Sequence, residues 1–240
     1  MTDTNPDTVQ ERKPRPLIDL LVSVVVPSLI LMKLSGDDKL GATGGLLLAL
    51  AFPIGWGLYE LITHKKKNYI ALLGVISVLL TGGIGLLELD PQWLAVKEAA
   101  IPAVIGIGVL VSAKLGFPLV KKVLFNPAVM DVDRIDQELE KKGNRETFDK
   151  RLDNANYLLA GTFGFSAVMN YVLAKRIVVS DAGTTAFNEE LGRMMALSYP
   201  VIAIPSMIMM MGIFYFLWRT VSQLTGLKLE EIIPDSETEK

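Results

Sequence analysis

The chain has 240 residues, of which 50% are hydrophobic and 21% are charged, and it contains no cysteine. Disulfides, thiol catalysis and cysteine-ligated metals are therefore excluded. Its 24 Lys and Arg residues against 26 Asp and Glu give a formal net charge of −2, which argues against nucleic-acid binding, since such proteins carry a basic stripe. The hydrophobic residues are concentrated in blocks, and this excludes a disordered chain, a coiled coil and an ordinary soluble enzyme domain.

Six apolar blocks follow one another along the chain, each about as long as a helix that crosses the hydrocarbon core of a bilayer. They cover residues 17–32, 40–62, 69–87, 99–120, 155–174 and 195–218. Several contain proline, which transmembrane helices tolerate because neighbouring helices satisfy the carbonyl groups that proline leaves unpaired. The sequence therefore predicts an all-α, polytopic membrane protein with six transmembrane helices.

The first block has a second interpretation, because an apolar stretch after basic residues also resembles a signal peptide. Its only charged residue is Asp19, and the sequence that follows from Lys33 reads KLSGDDK. This contains no small-x-small cleavage site, so we predict a retained helix.

Lys and Arg residues alternate strongly between the two sides of this six-helix arrangement. Eighteen of the 24 lie in the N-terminal tail, the 63–68 loop, the 114–151 segment and the C-terminal tail. Cytoplasmic loops carry such an excess. The predicted location is the bacterial inner membrane, with both termini in the cytoplasm and the lipid bilayer as the first partner.

The polar segments divide the chain further. Residues 1–16 form a predicted cytoplasmic tail, 17–125 the first four helices, 126–152 a cytoplasmic connector, 153–224 the last two helices and 225–240 a second tail. In the connector, Val132, Ile135 and Leu139 share one helical face, and Gly143-Asn144 interrupts the pattern. We expect two short amphipathic helices here, with i,i+4 ion pairs Glu138–Lys142 and Glu146–Lys150.

Polar residues inside transmembrane helices are functional candidates, because burying them in lipid is costly. Six residues meet this description: Asp19, Glu60, Lys114, Asn154, Asn156 and Asn170. The first five lie toward the cytoplasmic side, where they either converge on a polar pocket or snorkel to water. Asn170 is deeper, so an interhelical hydrogen bond competes with a ligand contact.

Three further motifs are given structural interpretations. His64 is the only histidine and has no HExxH partner, so we predict no metal site and no cofactor. Asp131 and Asp133 resemble the DxD of metal-dependent transferases, but acidic residues are also expected at a helix start. The run from Met207 to Met211 is typical of adaptable packing rather than of copper binding.

Small residues at four-residue spacing predict close helix contacts. Gly108, Ser112 and Gly116 form one such set, and Gly41 with Gly45 forms another. Their partner is either a helix of the same chain or a second protomer.

The stretch from Val96 to Leu124, the charged connector and the stretch from Arg151 to Ala174 together resemble the bacterial intracellular septation protein A family and related six-helix membrane proteins. The resemblance rests on Lys97 and Pro102, on Pro118-Leu119-Val120-Lys121-Lys122, on Arg151-Leu152-Asp153-Asn154 and on Asn170-Tyr171. Here the connector is longer and the Lys97–Pro102 gap wider than in that family. The resemblance implies a non-enzymatic inner-membrane protein of envelope maintenance or of a division or elongation complex.

Two functions therefore stand as expectations, with no catalytic residue in either. The first is a scaffold of the cell envelope with membrane-protein partners or a second copy of the chain. The second is a small-solute or lipid transporter, because proline-interrupted helices commonly build transport sites. A transferase that uses Asp131 and Asp133 is a third, weaker hypothesis.

Overall fold

The structure is a computed structural model that describes residues 21–63, 69–123, 125, 127 and 130–232. In this part of the chain all regular structure is helical. The helices are α1 (Leu21–Leu34), α2 (Gly41–Thr63), α3 (Tyr69–Leu86), α4 (Gln92–Lys114), α5 (Leu119–Val123), α6 (Val132–Lys141), α7 (Arg145–Ile177), α8 (Thr185–Ser198), α9 (Ile204–Thr225) and α10 (Leu229–Ile232). The all-helical class predicted from the apolar blocks is confirmed.

Four helical segments are long and apolar enough to cross a membrane: Gly41–Tyr59, Gln92–Lys114, Arg145–Ile177 and Thr185–Thr225. The other two apolar blocks form shorter apolar helices, Leu21–Leu34 and Leu72–Leu86. Many large hydrophobic side chains lie on the outside, among them Leu79, Val104 and Ile208, each more than half exposed. A continuous apolar surface of this kind fits lipid rather than water.

Helix α7 extends well beyond its predicted span. Helix α7 has 33 residues, which is about 50 Å at 1.5 Å per residue, and it begins inside the predicted connector. The expectation of two separate connector helices is therefore wrong. Helix α6 is the first of them, whereas the second is the start of α7, because the apolar residues Phe148 and Leu152 continue without a break into the membrane segment.

The turn between α6 and α7 lies where Gly143-Asn144 predicted it. Gly143 has a φ of +65°, a conformation that glycine adopts without steric cost. The Glu146–Lys150 pair forms at 2.7 Å, but Glu138 pairs with Lys141 at 2.6 Å instead of with Lys142. Lys142 donates to the Thr225 carbonyl at the end of α9. The hydrogen bond from Lys141 lowers the pKa of Glu138, so this pair favours the fold at neutral pH and is lost on acidification.

Two buried apolar clusters lie at opposite ends of α7. The connector-end cluster contains Phe148, Leu152 and Leu217, together with Ile135 of α6 and Ile232 of α10. The opposite-end cluster joins α1, α2 and α8 to the end of α7, through residues such as Leu31, Leu46, Phe187 and Ala174. Between these clusters α7 packs along α4. Ser166 and Asn170, two polar residues of the site described below, lie on α7.

The close contact between α4 and α7 forms at Gly106 rather than at the predicted Gly108. A Cβ on Gly106 would lie 3.1 Å from the Phe163 Cβ, whereas no described atom lies within 4 Å of a Cβ on Gly108 or Gly116. Gly108 is exposed, so within the described chain it faces no other helix. The exposed Gly108 face leaves a second protomer as its remaining predicted partner.

The other predicted small residues have local roles. Ser112 donates to the Val109 carbonyl and accepts from the Leu119 N–H, closing the turn after α4. A Cβ on Gly45 would meet Ser35, so α2 does approach the end of α1 closely there. Gly41 has a φ of +69° with no described atom within 4 Å of an added Cβ, so it begins α2 without forming a close contact.

We expect Gly106→Leu to destabilise the fold by about 1–3 kcal/mol, because the larger side chain forces α4 and α7 apart in a closely packed interface. Gly108→Leu is the matched control, two residues away on the exposed face. Thermal unfolding in detergent, followed by size-exclusion chromatography, compares the two variants. Equal losses of stability would contradict the assigned interface.

Candidate functional site

Lys97 and Glu98 form an ion pair inside the helical bundle. The fourth apolar block was predicted to begin at residue 99, after both charges, but α4 begins at Gln92, and both residues lie in its second turn. The Lys97 Nζ is 2.6 Å from the Glu98 Oε1, and the side chains are 9% and 25% exposed. The predicted start of this helix is therefore wrong by seven residues.

Helix α3 completes the surroundings of Lys97. Its ammonium group donates to the Thr81 Oγ1 at 2.7 Å and lies 3.2 and 3.3 Å from the hydroxyl and carbonyl oxygens of Ser77. The Thr81 hydroxyl donates to the Ser77 carbonyl, which turns its lone pairs toward Lys97. Since an ammonium group has three donors, the carboxylate and these oxygens occupy all of them.

Two chambers meet at Glu98. The Lys97 chamber is a cavity of about 260 Å³ between α1, α2, α3, α4 and α8, and Ser77, Thr81 and Lys97 line it. The Ser206 chamber is a more open cavity of about 490 Å³ between α4, α7 and α9, and Ser166 and Ser206 line it. Four residues border both chambers: Glu98, Asn170, Ser198 and Tyr199. The ion pair therefore lies with its cation in one chamber and its anion facing both.

A break in the long α8–α9 segment forms one wall. Residues Tyr199–Ala203 make a π-helical turn, in which the Ile204 N–H donates to the Tyr199 carbonyl. Pro200 and Pro205 have no N–H to donate, so carbonyl groups of the preceding turn lose their helical partners. π-Turns within α-helices occur frequently at functional sites.

Prolines from other helices also border the chambers. Pro27 of α1 and Pro53 of α2 line the Lys97 chamber, and Pro102 of α4 lines the Ser206 chamber. The sequence predicted these prolines inside apolar helices but not that they meet. Their convergence places several weakened helical hydrogen bonds around one polar region.

Asn170 is the one predicted polar residue that belongs to this site. Its Nδ2 donates to the Ser166 carbonyl at 2.8 Å in its own helix, and its side chain borders both chambers. Beside it, the Ser166 and Ser206 hydroxyl groups are 3.0 Å apart and link α7 to α9. The bond of Asn170 among the described residues therefore lies within α7, whereas the predicted hydrogen bond was to another helix; at this level the two serines make the link between helices.

Asn156 has a structural role at the other end of the bundle. It is fully buried, its Oδ1 accepts from the Val120 N–H at 3.1 Å, and its Nδ2 donates to the Val109 carbonyl at 2.7 Å. The side chain therefore ties α7 to both α4 and α5. This is the interhelical hydrogen bonding expected of an amide in a membrane bundle.

The other predicted candidates do not join the site. Lys114 is exposed at the end of α4, and Asn154 is exposed in the third turn of α7. Asp19 lies outside the described residues, and Glu60 lies in α2 with a side chain that is also outside them. The described candidates therefore do not converge on a pocket at the connector end, where the sequence placed them.

Asp131 serves as the N-cap of α6. Its carboxylate accepts from the Arg134 N–H at 3.1 Å, and its own N–H donates to the Ile232 carbonyl at 2.8 Å. Among the described residues no group of three or more His, Asp or Glu side chains is placed to hold a metal ion. The capping interpretation of the DxD motif thus has direct geometric support.

Several residues of the site were missed in the sequence. Glu98, Ser77, Thr81, Ser166, Ser198 and Ser206 were not singled out. Lys97 and Glu98 were left outside the fourth apolar block because two adjacent charges come directly before residue 99. The hydroxyl residues gave no signal, because single serines and threonines are ordinary in transmembrane helices.

Comparisons with models of known families, with curated proteins and with solved structures found no match. The fold and the site by themselves define a class: an all-helical protein with at least four helices suited to crossing a membrane among the described residues, and with a partly buried ion pair that borders two cavities.

Proposed function

We propose that the chain is a membrane transport protein that binds a small polar solute in the two chambers around Lys97 and Glu98. The observation that carries the proposal is the ion pair itself, held inside the bundle at the junction of two cavities. A charged pair in a membrane bundle is costly to desolvate. Packing alone does not require one, since apolar side chains would fill the same space more favourably.

The surrounding helices support movement as well as binding. Helix α3 packs mainly on α2, and its polar link to α4 is the set of hydrogen bonds from Lys97 to Ser77 and Thr81. On the other side, the π-turn at Tyr199–Ala203 is a weak point in the longest helical segment. Transporters commonly place binding sites at discontinuous helices that rearrange during alternating access. The α2–α3 hairpin would be the mobile element here.

The proposed membrane arrangement follows from the charges. Six spans in the bacterial inner membrane, with both termini and the connector in the cytoplasm, are consistent with the excess of Lys and Arg on that side. Lys97 was counted with the cations of the opposite side, and its position inside α4 removes it from that count, so the asymmetry becomes stronger. The Ser206 chamber then lies toward the side away from the connector-end cluster.

The second candidate function is the envelope scaffold implied by the resemblance to the septation protein A family. The exposed Gly108 face supports it, because small residues on a lipid-facing helix surface allow close approach of another helix. A scaffold has no need of a cavity that water reaches, and this difference separates the two candidates.

Single-cysteine labelling tests the proposed function without knowledge of the solute. The chain has no native cysteine, so Ser206→Cys reports on its chamber alone. A positively charged, membrane-impermeant methanethiosulfonate is added to right-side-out and to inverted vesicles. For a transporter we expect labelling from both sides, because the chamber opens alternately to each.

Two control positions calibrate the labelling. Lys141→Cys, exposed on α6, reacts from the connector side alone, and Gly108→Cys on the lipid-facing surface reacts slowly from both. A Ser206→Cys protein that reacts no faster than Gly108→Cys in either orientation would overturn the transport proposal and favour the scaffold.

A further inference from the structure

From the hydrogen-bonding capacity of the chamber walls, we infer that the solute is a small organic cation, an ammonium ion with an apolar body, that binds in the Ser206 chamber against Glu98. This inference rests on the proposed function and names the class of its substrate. It depends on which donors and acceptors of the site are already occupied.

The cation of the ion pair is not available to a ligand. Lys97 lines only the Lys97 chamber, and its ammonium group is surrounded by Glu98, Thr81 and Ser77. An anionic solute in the Ser206 chamber would therefore meet the negative end of the pair, with the positive end behind it. Such an arrangement repels anions and attracts cations.

The carboxylate has unused accepting capacity. Its Oε1 is paired with Lys97, whereas its Oε2 makes no hydrogen bond or ion pair with the described residues. Each carboxylate oxygen accepts two hydrogen bonds, and Glu98 borders the open Ser206 chamber. An ammonium group of a ligand fits this position, because it would supply donors to an acceptor that the protein leaves unsatisfied.

The neighbouring polar groups add further acceptors. The Asn170 Nδ2 donates to the Ser166 carbonyl, so its Oδ1 remains as an acceptor. The Ser198 hydroxyl donates to the Met194 carbonyl and keeps its lone pairs. Acceptors of this number around a single carboxylate favour a ligand that donates.

The remaining wall determines the size and character of the ligand. Ile101, Ile105, Phe163 and Ile202 give the Ser206 chamber an apolar surface, and about 490 Å³ leaves room for an organic body. Aromatic rings at Phe163 and Tyr199 can also attract a cation through their faces. A bare metal ion would leave this apolar surface without a partner, so an organic ammonium ion fits better.

Protection of the Ser206→Cys reporter tests the inference. A small, neutral methanethiosulfonate is used to label this protein in vesicles, in the presence of phenethylammonium, of phenylacetate or of neither. We expect millimolar phenethylammonium to slow labelling at least fivefold and phenylacetate to leave the rate unchanged. In the Glu98→Gln background the protection by phenethylammonium should be lost, and in Glu189→Gln, an exposed carboxylate on α8, it should remain.

The outcomes separate the two proposals. If labelling is rapid and neither probe slows it, or if phenylacetate slows it, the inference of a cationic solute is overturned. The proposed transport function is not contradicted by that result. No labelling from either side overturns the proposed function itself. If Glu98→Gln does not fold, the comparison of the two probes with the native carboxylate in place still decides, because it needs no change at Glu98.

Discussion

Replacement of Glu98 by Gln alone is expected to destabilise the protein by about 3 kcal/mol, the cost typical of removing one partner of a buried ion pair. Lys97 is then left charged and 9% exposed, with only neutral oxygens around it. Lys97→Met should cost less, because the Glu98 side chain is 25% exposed and reaches the open chamber.

The double variant provides the control. With Lys97→Met and Glu98→Gln together, no unpaired charge of this pair is left in the bundle, and we expect the free energy of unfolding to fall by about 1 kcal/mol. This loss is smaller than that of Glu98→Gln alone, and smaller than the sum of the two single losses. Reversible unfolding of the purified protein in mixed micelles measures all three. Additive losses would contradict a coupled, buried pair.

The second large effect is expected at Asn156. Asn156→Leu removes two hydrogen bonds to backbone groups: the buried Val120 N–H loses its side-chain acceptor, and the Val109 carbonyl keeps only its bond from Ser112 among its side-chain donors. An unsatisfied buried N–H costs about 1–3 kcal/mol and the lost bond to the carbonyl about 1 kcal/mol, so we expect a loss of roughly 2–4 kcal/mol. Asn154→Leu, two residues away and exposed, is the matched control and should stay within about 0.5 kcal/mol of the native protein.

The measurement at Asn156 also has a local readout. Because the lost bonds hold α5 against α7, limited proteolysis should cut the segment after α4 faster in Asn156→Leu than in Asn154→Leu. If the two variants have the same free energy of unfolding and are cut by the protease at the same rate, Asn156 does not hold α5 and α4 against α7.

The apolar blocks predicted most of the helices but not their ends. Helix α2, Gly41–Thr63, and helix α3, Tyr69–Leu86, agree with the blocks at 40–62 and 69–87 to within a residue or two at each end. In both, turn residues or charges coincide with the end of the apolar run. Helix α4 begins at Gln92, seven residues before its block, because buried partners on α3 accept the charge of Lys97.

The long helices show the same limit of pattern-based prediction. The change from charged to apolar residues suggested that the connector ended near residue 152, yet α7 runs through that point. Its first turns pack Phe148 and Leu152 against α9 and α6 instead of against lipid. The composition of a segment indicates whether water, protein or lipid surrounds it. The continuity of a helix depends on its backbone hydrogen bonds, and these run unbroken from the charged part of α7 into the apolar part.

The candidate site was largely beyond prediction from one sequence. Asn170 was identified because an amide deep in an apolar helix is uncommon. Its neighbours come from α3, α4, α8 and α9, and their proximity depends on how the helices pack, about which hydropathy carries no information. The Lys97–Glu98 pair gave a misleading signal, because two adjacent charges normally lie outside an apolar helix. Only the structure shows that hydroxyl groups of α3 accept hydrogen bonds from Lys97.

The burial of Lys97 is the central claim, and differential acetylation of lysines tests it most directly. Purified protein in detergent is treated briefly with an amine-reactive acetate ester, and peptide mass spectrometry compares Lys97 with Lys39, which is exposed in the turn before α2. We predict that Lys97 reacts at least tenfold more slowly in the folded protein and that both react equally after denaturation. Equal reaction of Lys97 and Lys39 in the folded protein would place Lys97 in a water-exposed loop and contradict the site.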